Sequence, residues 1–204
     1  MRTSSAWSRL VRAALFSLVP LAACSGDKEP RKGQIMLAVQ TDMSIPDDVS
    51  HVRIIVQKNG AIKFDTTYEV GPDKEQIPAR LGLIASDDPE DTVEVRVLGY
   101  QRGTARTLSR AITTIPQDRI ATLHVPIQWL CWNQVVTTQG VEESVDSSCE
   151  NPNEACVAGE CQDVRIDSDT LPDFDFTDIR GGAEDPALGV CLDTVPCLDL
   201  GRVP

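Results

Sequence analysis

Six of the seven cysteines in this 204-residue chain lie after residue 130: Cys131, Cys149, Cys156, Cys161, Cys191 and Cys197. The stretch that holds them, residues 133–204, has few apolar residues for its length, too few to bury a sizeable core unaided. A segment of that kind is held by crosslinks or stays unfolded. Six thiols allow three disulfides in an oxidising compartment. Cys191 and Cys197 enclose five residues and are placed to pair locally, which leaves three pairings open among the other four. Zinc is the rival reading, but the Cys149, Cys156 and Cys161 spacings exceed the usual two to four residues and no histidine lies in this stretch. Without a Cys-x-x-Cys pair, a thioredoxin-like redox role lacks its reactive loop.

The seventh cysteine, Cys24, is explained by what precedes it. Arg2, Arg9 and Arg12 form a basic region, and residues 13–23 form an apolar run too short to stay in a bilayer as a spanning helix. Residues 1–23 read as a secretion signal. Leu21, Ala22, Ala23 and Cys24 then resemble the lipobox of bacterial lipoproteins, in which a lipoprotein signal peptidase cuts before a cysteine carrying diacylglycerol on its sulfur. That resemblance implies an acylated Cys24 at the mature amino terminus, with membrane as the first partner, each buried methylene contributing about 0.8 kcal/mol. It also implies sorting to the outer membrane, because Ser25 and not Asp follows the cysteine. Residues 24–32 carry Gly, Pro and charge, and suit a flexible tether.

Charge divides the remainder. Residues 33–132 hold 10 basic and 13 acidic side chains, net -3, whereas residues 133–204 hold 3 and 16, net -13. This step marks a boundary between a first body and an acidic, cysteine-rich second one. In the first body, Ile35, Leu37 and Val39, then Val52, Ile54 and Val56, then Val93, Val95 and Val97, and finally Leu123, Val125, Ile127 and Trp129 recur at the period of two that a half-buried strand requires. Residues 61–70, 76–86 and 104–115 are weaker strands, bounded by Asn59-Gly60, Gly71-Pro72, Pro89, Gly103 and Pro116. Pro126 inside a run puts that strand at an edge or a bulge. Seven short strands without a helical period predict an all-β fold, an antiparallel β-sandwich, followed by a disulfide-rich, loop-rich tail.

The order of strands and turns over residues 33–132 resembles a bacterial immunoglobulin-like or transthyretin-like module. No invariant motif carries that likeness, and the paired strand cysteines of antibody domains are missing. The segment from Cys149 through Cys156 to Cys161, with Gly159 close before the last cysteine, and the acidic run that follows from Asp167 to Asp173, resemble the short cysteine-rich segment of predicted myxobacterial surface lipoproteins. That likeness implies location and no particular activity.

An isoelectric point near 4.5 and the lack of a Lys/Arg cluster in the mature chain exclude a phosphate-backbone partner, so no nucleic acid is expected. Asp167, Asp169, Asp173, Asp175 and Asp178 supply hard oxygen atoms for calcium, but their spacing does not match an EF-hand loop, and a solvated acidic tail is the competing reading. No Gly-x-Ser-x-Gly elbow or His-Glu-x-x-His pair is present, and the only histidines, His51 and His124, take outward positions in their strands. Trp129 and Trp132 bracket Cys131, and read first as packing against a disulfide and second as a stacking platform. No cofactor is expected apart from the calcium alternative. The chain therefore reads as a lipid-anchored cell-envelope protein with a non-enzymatic structural or interaction role, its partner an unknown envelope protein or polymer. The alternatives are a calcium-stabilised adhesive or ligand-binding module and an envelope hydrolase with an unrecognised site.

Overall fold

A computed structural model describes residues 33–138 and 144–175. Cys24, Cys191, Cys197 and Asp178 lie outside the described residues. Seven strands form the sandwich: β1 (Gln34–Val39), β2 (His51–Lys58), β3 (Ala61–Glu69), β4 (Ala79–Ile84), β5 (Thr92–Gln101), β6 (Thr104–Thr114) and β7 (Ile120–His124). One sheet has the order β4-β1-β7 and the other β3-β2-β5-β6. The fold is the all-β sandwich that the alternation predicts. One strand pair departs from the antiparallel expectation: β1 and β7, first and last in the sandwich, run parallel from Gln34↔Ile120 to Ala38↔His124. A parallel pair needs a crossover connection, and here the five strands between them provide it.

The core lies between the sheets. Ile35, Leu37, Val39, Val52, Ile54, Val56, Val93, Val95 and Val97 are all buried in it, which is why strands with this alternation pair face to face. Each such side chain contributes roughly 1.5–3 kcal/mol when fully buried. The hairpin turn falls at Asn59 and Gly60, both with positive φ (48° and 78°), a conformation that Asn tolerates and Gly adopts freely. The last predicted strand is shorter than its alternation. Leu123, Val125 and Ile127 are buried, but β7 stops at His124, Ile127 makes only an isolated bridge to Thr41, and Trp129 leaves the strand line in a 3-10 turn. Pro126 has no N–H to donate to the ladder, so regular pairing ends before it.

The cysteine-rich segment packs on the sandwich. Its hairpins β8 (Val135–Thr138) with β9 (Ser144–Ser147), and β10 (Glu154–Val157) with β11 (Glu160–Asp163), follow the 3-10 turn. Val145 joins Ile55, Leu98, Ala105 and Leu108 in a second apolar cluster on the outer face of the four-stranded sheet. Arg96 and Arg110 stand directly opposite each other on that face, a like-charge pair that destabilises a sheet unless neutralised. Glu94 meets Arg110 at 2.6 Å, Asp146 meets Arg96 at 2.8 Å, and the carbonyls of Val145 and Pro152 accept from the two guanidinium groups.

Beyond β11 the chain seals one open side of the sandwich. Ile112 N donates to Val164 O (2.7 Å) and Ile166 N to Ile112 O (2.9 Å), which extends the sheet beyond β6. Thr122 N donates to Pro172 O and Phe174 N to Ile120 O, both 2.8 Å, which covers the edge of β7. Between these contacts Leu171 enters the main core, and Arg119 donates to Leu171 O (2.8 Å), Ser168 O (2.9 Å) and Asp173 Oδ1 (2.8 Å). Two exposed strand edges are thereby paired, which removes a template for aggregation. Gln34 and Phe174 lie at one pole: Gln34 N donates to Arg119 O, beside the Ile120 that receives Phe174.

Candidate functional site

The opposite pole carries the most unusual surface. At the top of β7 the chain passes through Ile127, whose N–H donates to Gln40 O at 2.7 Å, and then turns tightly over Trp129–Cys131. Three restraints hold the turn. Trp129 N donates to Asp42 Oδ1 at 2.7 Å, the buried side chain of Gln128 accepts from Ala158 N at 2.9 Å, and buried Cys131 is bonded to buried Cys156. Trp132 packs partly against the main core, with the Arg106 guanidinium 5.7 Å from its ring centroid. Trp129 stacks on Trp132 with centroids 5.3 Å apart and planes 23° apart. Trp129 remains 50% exposed and its neighbour Leu130 62% exposed.

The two tryptophans therefore divide between the readings their sequence position allows. Trp132 is packing. Trp129 has one face on Trp132 and projects into solvent, so packing does not account for it. Around the pair are groups that no sequence spacing ties to it: Asp42, 87 residues from Trp129, and Arg106, which donates from Nη1 to Asn133 Oδ1 at 3.0 Å. Asn133 takes a left-handed φ of 60°, one of the conformations Asn tolerates, and its N–H donates to Arg106 O at 2.8 Å. The platform is thus anchored from the sandwich, the disulfide and the cysteine-rich segment together.

Of the three pairings open to four of the cysteines, the chain adopts Cys131–Cys156 and Cys149–Cys161. Cys156 and Cys161 face one another in the β10–β11 register, yet each bonds outside its hairpin, so both bridges tie the hairpin to earlier parts of the chain.

The acidic run does not assemble into a cation site among the described residues. Asp167 Oδ1 accepts from Asp169 N at 3.0 Å and caps the 3-10 turn Ser168–Thr170, while Asp173 is paired with Arg119. Asp169 and Asp175 are exposed. No group of three His, Cys, Asp or Glu side chains among the described residues is placed to hold a metal ion. Two carboxylates that the sequence offers as ligands are thus occupied as a cap and as a salt bridge.

The histidines, expected to point outward, are half-buried. His51 Nδ1 lies 3.1 Å from Ser50 Oγ, and the same hydroxyl lies 3.2 Å from Tyr100 O, a backbone acceptor that competes for its proton. His124 lines a cavity of about 220 Å³ between the sandwich and the cysteine-rich segment, with Arg110, Gln162 and Asp163 on its walls. Arg110 is already engaged by Glu94 and Pro152 O. A second, apolar cleft of about 180 Å³ opens between the sheets beside Val52, Ile54, Tyr68, Ile77 and Leu81.

Two perturbed carboxylates serve as struts. Lys58, with help from Ser86 and Asn59, lowers the Asp91 pKa to about 2. The hydrogen-bonded guanidinium of Arg53 lowers that of Asp65. Comparison of the chain with family models, curated proteins and solved structures returns no match.

Proposed function

We propose that the protein is a lipid-anchored component of the bacterial cell envelope, held through Cys24 at the outer membrane, which works by non-enzymatic contact through its aromatic pole. The observation that carries this reading is polarity. The chain enters the sandwich at Gly33, at one end of β1, and Trp129 is fastened to Asp42 beyond the other end. The six residues of β1 span about 17 Å at 3.3 Å per residue, and Asp42 lies three residues beyond its far end. A tether of residues 24–32 adds at most about 30 Å. The lipid attachment thus precedes the Gly33 end of the sandwich, and the exposed indole and Leu130 lie at the opposite end.

Rigidity supports the same reading. A contact surface that is ordered before binding loses less entropy on association. Here a disulfide, a stacked ring and two hydrogen bonds to side chains fix one exposed tryptophan.

The test is a photocrosslinking amino acid placed in cells either at Leu130 or at Asp88, whose loop lies at the Gly33 pole, where Ala85 N donates to Gly33 O. Adducts are expected from position 130 and not from 88, and Cys24→Ala is expected to release the protein from membranes and abolish them. Equal adducts from both poles, or a membrane fraction unchanged by Cys24→Ala, would refute the proposal.

A further inference from the structure

We infer that the exposed face of Trp129 is a stacking subsite for a pyranose ring of an uncharged glycan polymer, a ligand class for the contact pole that rests on the reading just proposed. Size is the first argument. A tryptophan side chain offers about 150–250 Å² in all, so a half-exposed one presents on the order of 100 Å². A stable protein interface needs about 800 Å² on each partner. One indole face with a neighbouring leucine falls well short of that, but it is of the size of a single sugar ring, and a polymer offers the one subsite many equivalent rings.

Chemistry and charge narrow the class. A pyranose has an apolar C–H face that stacks on an aromatic plane and a rim of hydroxyls that need donors and acceptors. The tryptophan pair has both kinds of group near it, an acceptor beside Trp129 and a donor on the Trp132 side, where Arg106 stands over the ring. Asp42 is an exposed carboxylate held beside Trp129 by the Trp129 N–H. Asn133 has its amide oxygen occupied by Arg106, which leaves the amide NH₂ as the donor. Only one face of Trp129 is available, because Trp132 covers the other, so the subsite takes one ring at a time. Removal of residues 1–23 takes three arginines and no acid from a chain of formal charge -12, so the mature chain carries -15, which disfavours polyanionic glycans and leaves neutral ones.

The experiment uses the full-length mature protein in a detergent without a sugar headgroup. After removal of residues 1–23, Trp129 and Trp132 are the only tryptophans, so intrinsic emission reports on this site alone. Titration with cellohexaose and chitohexaose is expected to give a saturable emission change with at least one of them. Because substitution of Trp129 removes one of the two reporters, variant binding is read by isothermal titration calorimetry, in which Trp129→Ala should weaken binding about tenfold or more, while Trp129→Phe, which keeps an aromatic face, should retain most of it. Melting temperature is measured for both variants, and the tenfold loss counts only if Trp129→Ala melts within a few degrees of the parent. Should that variant unfold, Asp42→Asn replaces it, with at least a threefold loss expected.

Absence of a saturable change with both oligomers, or equal binding by the parent and Trp129→Ala, overturns the inference. The crosslinking from position 130 separates this failure from failure of the underlying reading. Protein adducts there with no glycan binding would overturn the glycan class and leave the contact pole standing, whereas no adducts and no glycan binding would remove both.

Discussion

Asp91 ties three parts of the base of the sandwich together. Its carboxylate receives Lys58 Nζ at 2.5 Å, Asn59 Nδ2 at 2.6 Å and Ser86 Oγ at 2.5 Å. All three favour the ionised form, Lys58 most, and they bring the pKa down to about 2. A carboxylate whose folded pKa lies below its unfolded value of about 3.9 stabilises the fold above that value, and the contribution is lost as pH falls through the folded pKa. Asp91→Asn keeps the shape and removes the titration. The parent is therefore expected to lose more melting temperature between pH 5 and pH 2 than Asp91→Asn does. Thermal melts at both pH values decide this, and parallel losses in the two proteins would show that Asp91 is not a pH-linked strut. Asn59 was legible as a turn residue from the Asn-Gly pair alone. Its bond to Asp91 was not, because 32 residues of chain separate them and no local pattern encodes which loop will lie beside a turn.

At the scale of elements, period-two alternation locates four of the seven sandwich strands, and bounding turn residues locate the weaker runs that form β3, β4 and β6. Alternation says which residues share a face and is silent on what covers that face. Ile55 and Leu98 fall among outward positions, and they are buried only because β9 brings Val145 over them. The strap after β11 was read as an acidic run, since its carboxylates dominate its composition, while its structural content rests in one apolar residue. Leu171 is 7% exposed and belongs to the main core. Leu171→Ala should cost about 2–3 kcal/mol, the lower part of the range for a buried leucine, because a strap at the rim can settle into the space left behind. Leu130→Ala, at a position 62% exposed, should stay within about 0.5 kcal/mol. Urea denaturation with unchanged slope measures both, and equal midpoints for the two variants would mean that the strap only rests on the sandwich.

For the whole molecule, composition and packing draw different lines. The charge step near residue 132 separates a mildly acidic half from a strongly acidic one, but stabilising contacts cross it repeatedly. Arg119 depends on carbonyls at Ser168 and Leu171, Cys131 on Cys156, and the edges of β6 and β7 on the strap for their outer hydrogen bonds. Closing a loop of 25 residues through Cys131–Cys156 is worth about 3.5 kcal/mol in the chain-entropy treatment, and that bridge joins the two halves directly. A chain ending at Trp132 would leave Leu108, Leu98 and Ile55 uncovered and two sheet edges unpaired. These losses fall on one cooperative unit, so calorimetry of the oxidised mature protein is expected to show a single unfolding transition with no separate event for the cysteine-rich segment. The 33–132 fragment should melt at least 15 °C lower or show no cooperative transition, given a loss of several kcal/mol and about 4–8 °C for each kcal/mol in a domain of this size. Two transitions in the intact protein, or a fragment as stable as the whole, would mean that the sandwich stands alone and the segment rides on it, and the aromatic pole would then lose the rigid support on which its binding role depends.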